Sequence, residues 1–191
     1  LVLIEGMDVV RDGVARAVRV AGGTADAFPA ECTDASSLAS ARDAVLRTFG
    51  AIDILAAFAG GGGAPTPFVE MDDDRWRAVV DTNLDATARS IRAFAPAMIE
   101  RRRGSILTMA STAGRAPGPA SAAYAAAKAG IVMLTRHLAL ELARVTSSAV
   151  SPRLGPIGLG YAFRELADGA SLPPAGGRPV AAIVVGLPRR L

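Results

Sequence analysis

Three polar side chains in an alanine-rich stretch have the types and spacing to do chemistry together: Ser111, Tyr124 and Lys128. In Tyr124-Ala125-Ala126-Ala127-Lys128 a phenol and an ammonium stand four residues apart, which on a helix puts both on one face with Cβ atoms about 6 Å apart. A free phenol is ionised to only about one part in a thousand near pH 7, and lowering its pKa by 3 takes about 4 kcal/mol. An ammonium about 5 Å away at an effective dielectric near 20 supplies roughly 3 kcal/mol of that. A phenol so placed is a candidate general acid and base near neutral pH. The plain alternative is an exposed stacking pair. Composition weighs against it, because Lys128 is the only lysine among the 21 basic residues and arginine fills every other basic position. Asn83 is likewise the only asparagine. Taken alone it could be a helix cap, and Ser111 a loop hydroxyl.

The elements that must carry these side chains alternate between strand and helix, the pattern of a parallel sheet covered on both faces. Residues 1–5 form a short apolar strand, and 12–21 a helix stopped by Gly22-Gly23. Residues 25–30 form a second strand limited by Pro29, and Thr33-Asp34 cap a helix over 35–49 closed by Gly50. A buried strand over 52–59 runs into four glycines, of which 61–63 read as a flexible lead-in because no helix starts directly after them. A helical region over 72–98 divides near Asn83. The strand over 105–109 delivers Ser111 just past its carboxyl end, where open parallel sheets bind ligands. A long helix over 120–143, about 36 Å at 1.5 Å per residue, holds Tyr124 and Lys128 in its first turns. A strand over 145–151 follows. Residues 153–179 are the longest irregular stretch, a candidate substrate loop or lid with one short amphipathic piece at 162–167.

Length and composition set the frame. A chain of 191 residues, 51% hydrophobic and 20% charged, is expected to form a single domain over 1–191 with a proper core. Its 20 glycines and 12 prolines stay below the level of disordered or collagen-like chains. No apolar run approaches the roughly 18 residues of a bilayer span. The net charge of +3 is spread along the chain apart from Arg101-Arg102-Arg103, so nucleic acid is not the expected partner. A single cysteine, Cys32, cannot close an internal disulfide, and the chain lacks the Cys and His for a structural zinc site. The expectation is a soluble, cytoplasmic protein with no metal.

Several segments together resemble the short-chain dehydrogenase/reductase family, from residue 1 to about Pro152. Asp53-Ile54-Leu55-Ala56-Ala57-Phe58-Ala59-Gly60 is similar to the family strand ending in Asn-Asn-Ala-Gly, and Asp81-Thr82-Asn83-Leu84 to the segment holding its asparagine. Gly104 through Ser111 resembles the strand delivering the family serine, and Tyr124 to Lys128 matches Tyr-x-x-x-Lys. Val150-Ser151-Pro152 is similar to the next strand and its Pro-Gly turn. The resemblance implies an α/β, Rossmann-like, doubly wound parallel sheet in a three-layer αβα arrangement. It implies an NAD(P)-dependent oxidoreductase that interconverts a secondary alcohol and a ketone by hydride transfer. Tyr124 would pass a proton to or from the substrate oxygen and Ser111 would hydrogen-bond that oxygen. Lys128 would hold the nicotinamide ribose and favour the phenolate, while Asn83 would anchor a helix distortion and a water in a proton relay.

For the cofactor, the resemblance implies Glu5 on the adenosine ribose, favouring NAD with NADP not excluded. It also implies Glu31 and Cys32 near adenine, Ala59 and Gly60 where backbone approaches the cofactor, and contacts from Tyr124, Lys128 and Pro152. Cys32 read by itself is a small buried hydrophobe, and Glu5 a solvated acid in a turn. A homodimer or homotetramer and a small alcohol or ketone substrate are implied as partners.

The sequence also departs from the family. No Gly-x-x-x-Gly-x-Gly turn follows its first strand, so the family's own first strand, with that turn, is missing from these residues. In the family that strand lies between the second and fourth strands, at the centre of the sheet. Either the chain is an N-terminally truncated fragment, or residues 1–5 move into the vacant place. Residues 183–186 resemble a remnant of the family's last strand. The alternative to the enzyme is therefore a catalytically impaired or non-catalytic chain of the same fold, a truncated product or a structural subunit.

Overall fold

The computed structural model describes residues 2–4, 8–62, 64–146, 150–153, 160–165 and 182–185, with side chains over 12–62 and 64–142. In chain order the elements are β1 (Val2–Ile4), α1 (Asp8–Val20), β2 (Asp26–Phe28), α2 (Ala35–Phe49), β3 (Ile54–Ala57), α3 (Asp73–Val80), a π-helical turn (Asp81–Asp85), α4 (Ala86–Glu100), β4 (Ser105–Met109), α5 (Ala122–Thr146), β5 (Val150–Arg153), β6 (Gly160–Glu165) and β7 (Ala182–Val185). Short 3-10 turns, Phe68–Glu70 and Thr112–Gly114, precede α3 and α5.

Local chemistry explains the helix ends. Asp34 sits in extended backbone and its carboxylate accepts from Ser36 N, so α2 starts at Ala35; Gly50 adopts φ 71° and donates its N–H to Leu46 O, closing the last turn. Asp72 caps α3 in the same way, accepting from Arg75 N. Helix α1 begins at Asp8, four residues before the expected start, and α5 runs on to Thr146, so the expected strand over 145–151 is displaced to Val150–Arg153.

Among the described residues seven strands form one sheet in the order β2-β1-β7-β3-β4-β6-β5. Five neighbours, β2, β1, β7, β3 and β4, run parallel. The expected vacancy between β1 and β3 does not exist. Of the residues expected there, Val2–Ile4 pair instead with β2 and β7, and Ile183–Val185 do not continue at the far end of the sheet. Instead β7 occupies the centre, with Ile183 opposite Val2 and Leu55, and Val184 opposite Leu3 and Ala56. An uninterrupted Ala182-Ile183-Val184-Val185 run suits a strand paired on both sides in the middle of a covered sheet. The ladder groups of β1 and β3 are thereby satisfied.

The sheet is also not wholly parallel. Strand β6 pairs antiparallel with β4 and with β5, so the amphipathic piece at 162–167 falls largely in a strand rather than in an irregular lid. The remainder of the expected lid, 154–159 and 166–179, lies outside the described residues. Pro152 lies in β5 at the sheet edge, where a missing N–H can face away from the ladder.

The core lies between α2, α4 and the sheet. Leu38, Ala41 and Val45 of α2 meet Ile91, Phe94, Ala95 and Met98 of α4 over Ile52, Leu55 and Ile106. Phe94, Leu38, Ile52 and Leu55 are fully buried, and each such side chain contributes roughly 1.5–3 kcal/mol of transfer free energy. This packing holds the carboxyl ends of β3 and β4 side by side, with Ala57 opposite Thr108. Among the described residues no helix is long and apolar enough to cross a membrane, and no cluster of three His, Cys, Asp or Glu could hold a metal ion.

Candidate active site

Ser111, Tyr124 and Lys128 reach one place through two turns. Beyond β4, Ser111 is extended at φ −150° and its Oγ accepts from Ala113 N at 3.2 Å, which starts the 3-10 turn Thr112–Gly114. That turn lies against α5. A Cβ on Gly114 would sit 2.6 Å from Ala129 N and from the carbonyl carbon of Lys128, so only glycine allows the approach. Ser121 opens α5, its carbonyl accepting from Ala125 N and its hydroxyl from Tyr124 N at 3.4 Å.

Tyr124 and Lys128 share a face of α5, as their spacing requires. The Lys128 ammonium lies 5.5 Å from the centroid of the Tyr124 ring, within cation–π range. Lys128 is 3% exposed and Tyr124 is half-buried. Lys128 Nζ donates to Met109 O at 3.0 Å, which ties α5 to the carboxyl end of β4. Burial lowers the Lys128 pKa from the ordinary 10.5 to about 8, since desolvation disfavours the charged form. At pH 7 it is still a cation in roughly nine of ten molecules. The carbonyl of Met109 takes one of its three N–H groups, and no other described residue is bonded to it.

Asn83 is fully buried in the π turn, and its side chain does not cap a helix. Its amide pairs with a backbone amide: Nδ2 donates to Gly61 O at 3.0 Å and Oδ1 accepts from Gly61 N at 3.2 Å. Nδ2 also donates to Val79 O at 2.9 Å. Gly60 lies beside this pair at φ 132°, and a Cβ there would collide with Asn83 Oδ1. The expectation of a flexible lead-in after β3 therefore fails at Gly61, which Asn83 holds through both its N–H and its C=O.

The remaining sequence candidates spread along the same edge. Ala59 is buried and Gly60 half-buried just past β3. Cys32 is buried past β2 and contributes to the hydrophobic core, as a small hydrophobe would. Glu31 is exposed, and its Oε1 accepts from Thr33 N and Thr33 Oγ1. Glu5 lies outside the described residues, and of Pro152 only the backbone is described. The parallel strands place Glu31, Cys32, Ala59, Gly60 and Ser111 past their carboxyl ends, α5 carries Tyr124 and Lys128 in its first turns, and Asn83 reaches the same edge from the π turn through Gly61. The Met109 carbonyl and Gly61 belong to the site although no side-chain pattern announces them. Both act through backbone atoms, and only the presence of a lone buried Lys and a lone Asn hints at a backbone partner.

A family model described as short chain dehydrogenase matches residues 4–155. This chain belongs to the short-chain dehydrogenase family. It is 35% identical over 141 residues to the 2,3-dihydro-2,3-dihydroxybenzoate dehydrogenase of Bacillus subtilis, covering 73% of this chain and 54% of that relative. It is 34% identical over 158 residues to the cis-4-hydroxycyclohexanecarboxylate dehydrogenase of Sinomonas cyclohexanicum, covering 83% and 61%. Among solved structures, NAD+-bound xylitol dehydrogenase superposes with a TM-score of 0.72 at 30% identity, over 75% of this chain and 55% of that one. A metagenomic short-chain oxidoreductase in complex with NADP gives 0.69 at 34%, over 75% and 65%. The short-chain dehydrogenase chain described here thus spans about half to two thirds of the length of relatives such as these, and shares their Rossmann-like α/β fold.

Proposed function

We propose that this chain carries the site of a nicotinamide-dinucleotide-dependent oxidoreductase that interconverts a secondary alcohol and a ketone. The observation that carries the reading is the buried Lys128 ammonium, 5.5 Å from the Tyr124 ring and anchored on Met109 O. A buried cation beside a half-buried phenol has a chemical use that an exposed pair lacks.

The residues present fit such a cofactor along part of its length. Lys128 has N–H groups left over for ribose hydroxyls. The Ala59-Gly60 backbone presents no bulky side chain, and the exposed Glu31 lies where the family contacts adenine. The nicotinamide, when bound, accepts or supplies the hydride. Tyr124 takes the alcohol proton in one direction and returns it to the ketone oxygen in the other. Ser111 uses its Oγ lone pair to cap its own turn, so its O–H hydrogen is left to donate to the substrate oxygen. Lys128 holds positive charge next to the phenol and Asn83 fixes the loop after β3. By the family resemblance Glu5 is the acid for the adenosine ribose hydroxyls, which favours NAD, with NADP not excluded. The two relatives named for hydroxylated, carboxylate-bearing rings support a cyclic alcohol as the substrate class.

Isothermal titration with NADH and NADPH, followed by turnover on a panel of cyclic and acyclic secondary alcohols, tests the proposal. Micromolar NADH binding with turnover of a cyclic alcohol is expected. A second reading, a non-catalytic chain of the same fold, is favoured by β7 standing where the family has its glycine-turn strand. Failure to bind either dinucleotide would select it.

A further inference from the structure

Asn83 is the middle residue of the π turn Asp81–Asp85, which includes a bond from Ala86 N–H back to Asp81 O, five residues earlier. An ion pair spans the turn: Arg89 Nη1 meets Asp81 Oδ1 at 2.6 Å. The side chains are 25% and 36% exposed, and Nη1 itself is sealed from solvent, in close ionic contact without an aligned hydrogen bond. The sequence separation is the informative feature. On a straight α-helix, residues eight apart differ by about 80° in direction at about 100° per residue, and the pairs that meet are three or four apart. Absorbing one residue in the π turn removes about one such step. Asp81 and Arg89 then fall within about 20° of one line and about 10 Å apart along the axis. Arginine covers that span by reaching toward the helix N-terminus, the direction in which helical side chains lean. The ion pair is compatible with the π register and poorly compatible with a regular helix.

The same register decides where Asn83 and Leu84 go. Asn83 reaches Gly61 across the site, while Leu84 packs on Ala110, Ile131 and Val132 beside it. The geometry points to Asp81–Arg89 as a latch that holds the π turn, and so to both as positioning residues for Asn83 and the loop after β3. Neither residue touches Tyr124 or Lys128 in any described contact. The kinetic part of this inference rests on the oxidoreductase reading; the structural part does not.

The test compares Arg89→Met and the near-isosteric Asp81→Asn with Arg89→Lys, which keeps the charge. Arg77→Met serves as control, since Arg77 pairs with Asp73 and Asp74 at ordinary helical spacing on α3. Hydrogen exchange at the Gly61 amide, which donates to Asn83 Oδ1, reports the position of Asn83 directly. Exchange there is expected to quicken about tenfold in Arg89→Met and Asp81→Asn, with kcat falling about tenfold. KM for the dinucleotide stays within about twofold, Arg89→Lys recovers most of the loss, and Arg77→Met changes neither quantity. Unchanged Gly61 exchange in the two latch variants overturns the inference, and so does an equal effect of Arg77→Met. If Arg89→Met does not fold, Asp81→Asn decides. A chain that turns over no alcohol in unsubstituted form refutes the function reading alone, and Gly61 exchange still judges the latch.

Discussion

Replacing Lys128 by methionine separates what its burial costs from what its charge does. The unfolded chain titrates this lysine near the ordinary 10.5, whereas burial lowers it to about 8 in the fold. Below pH 8 both states hold the proton and the cost of burying the cation is constant. Between pH 8 and 10.5 the unfolded state binds the proton and the folded state has released it, so stability attributable to Lys128 rises with pH and levels off above 10.5. That gap in pKa corresponds to about 3 kcal/mol, and with the side chain 3% exposed little of it is lost to solvent screening. Losing the hydrogen bond to Met109 O shifts the variant by an amount that hardly depends on pH. The quantity to follow is therefore the stability of the unsubstituted chain minus that of Lys128→Met, from urea unfolding at a series of pH values. It is expected to be flat below about pH 7 and to climb by about 3 kcal/mol by about pH 11. Parallel pH curves for the two proteins would refute the claim that Lys128 is a buried, desolvated cation. Lys128→Met is also expected to be inactive throughout, because the charge beside Tyr124 is gone.

Other substitutions probe other links. Asn83→Ala removes the partner of Gly61 N, Gly61 O and Val79 O, and is expected to cost about 2–4 kcal/mol in denaturant unfolding. Gly114→Ala should lower kcat more than stability, since its Cβ would push the Ser111 turn off α5; equal kcat would show that this contact does not place Ser111. Val184→Pro breaks a ladder bond in a strand paired on both sides and is expected to destabilise the chain by about 3 kcal/mol or more, whereas an unaltered unfolding midpoint would contradict the central position of β7.

Much of the frame could be read from local signals. Asp34 and Gly50 bracket α2 because a side-chain cap and a left-handed glycine act within a few residues, and the boundaries 35–49 hold. The division near Asn83 was expected, but its form was not: the side chain is buried and pairs with Gly61 instead of capping a helix, a partner that lies in another loop. Strand order was not legible. Four apolar residues at 182–185 look alike at a sheet edge or centre, and which gap they fill is decided by unpaired groups on β1 and β3, far away in sequence. The antiparallel β6 escaped for a similar reason, as Gly160–Glu165 gains its direction from pairing with β4 and β5 rather than from its own period. In the site, side-chain chemistry pointed to Tyr124 and Lys128, while the backbone acceptor on Met109 that fixes the lysine carries no side-chain signature.

The most direct test of the central claim is Tyr124→Phe, assayed by the change in nicotinamide absorbance with a cyclic secondary alcohol and with dinucleotide binding measured in parallel. The variant is expected to bind the dinucleotide as the unsubstituted chain does and to melt at a similar temperature. Its turnover is expected to fall by about a thousandfold or more, the scale of losing a general acid and base. Turnover within a few-fold of the unsubstituted chain would contradict the assignment of proton transfer to Tyr124.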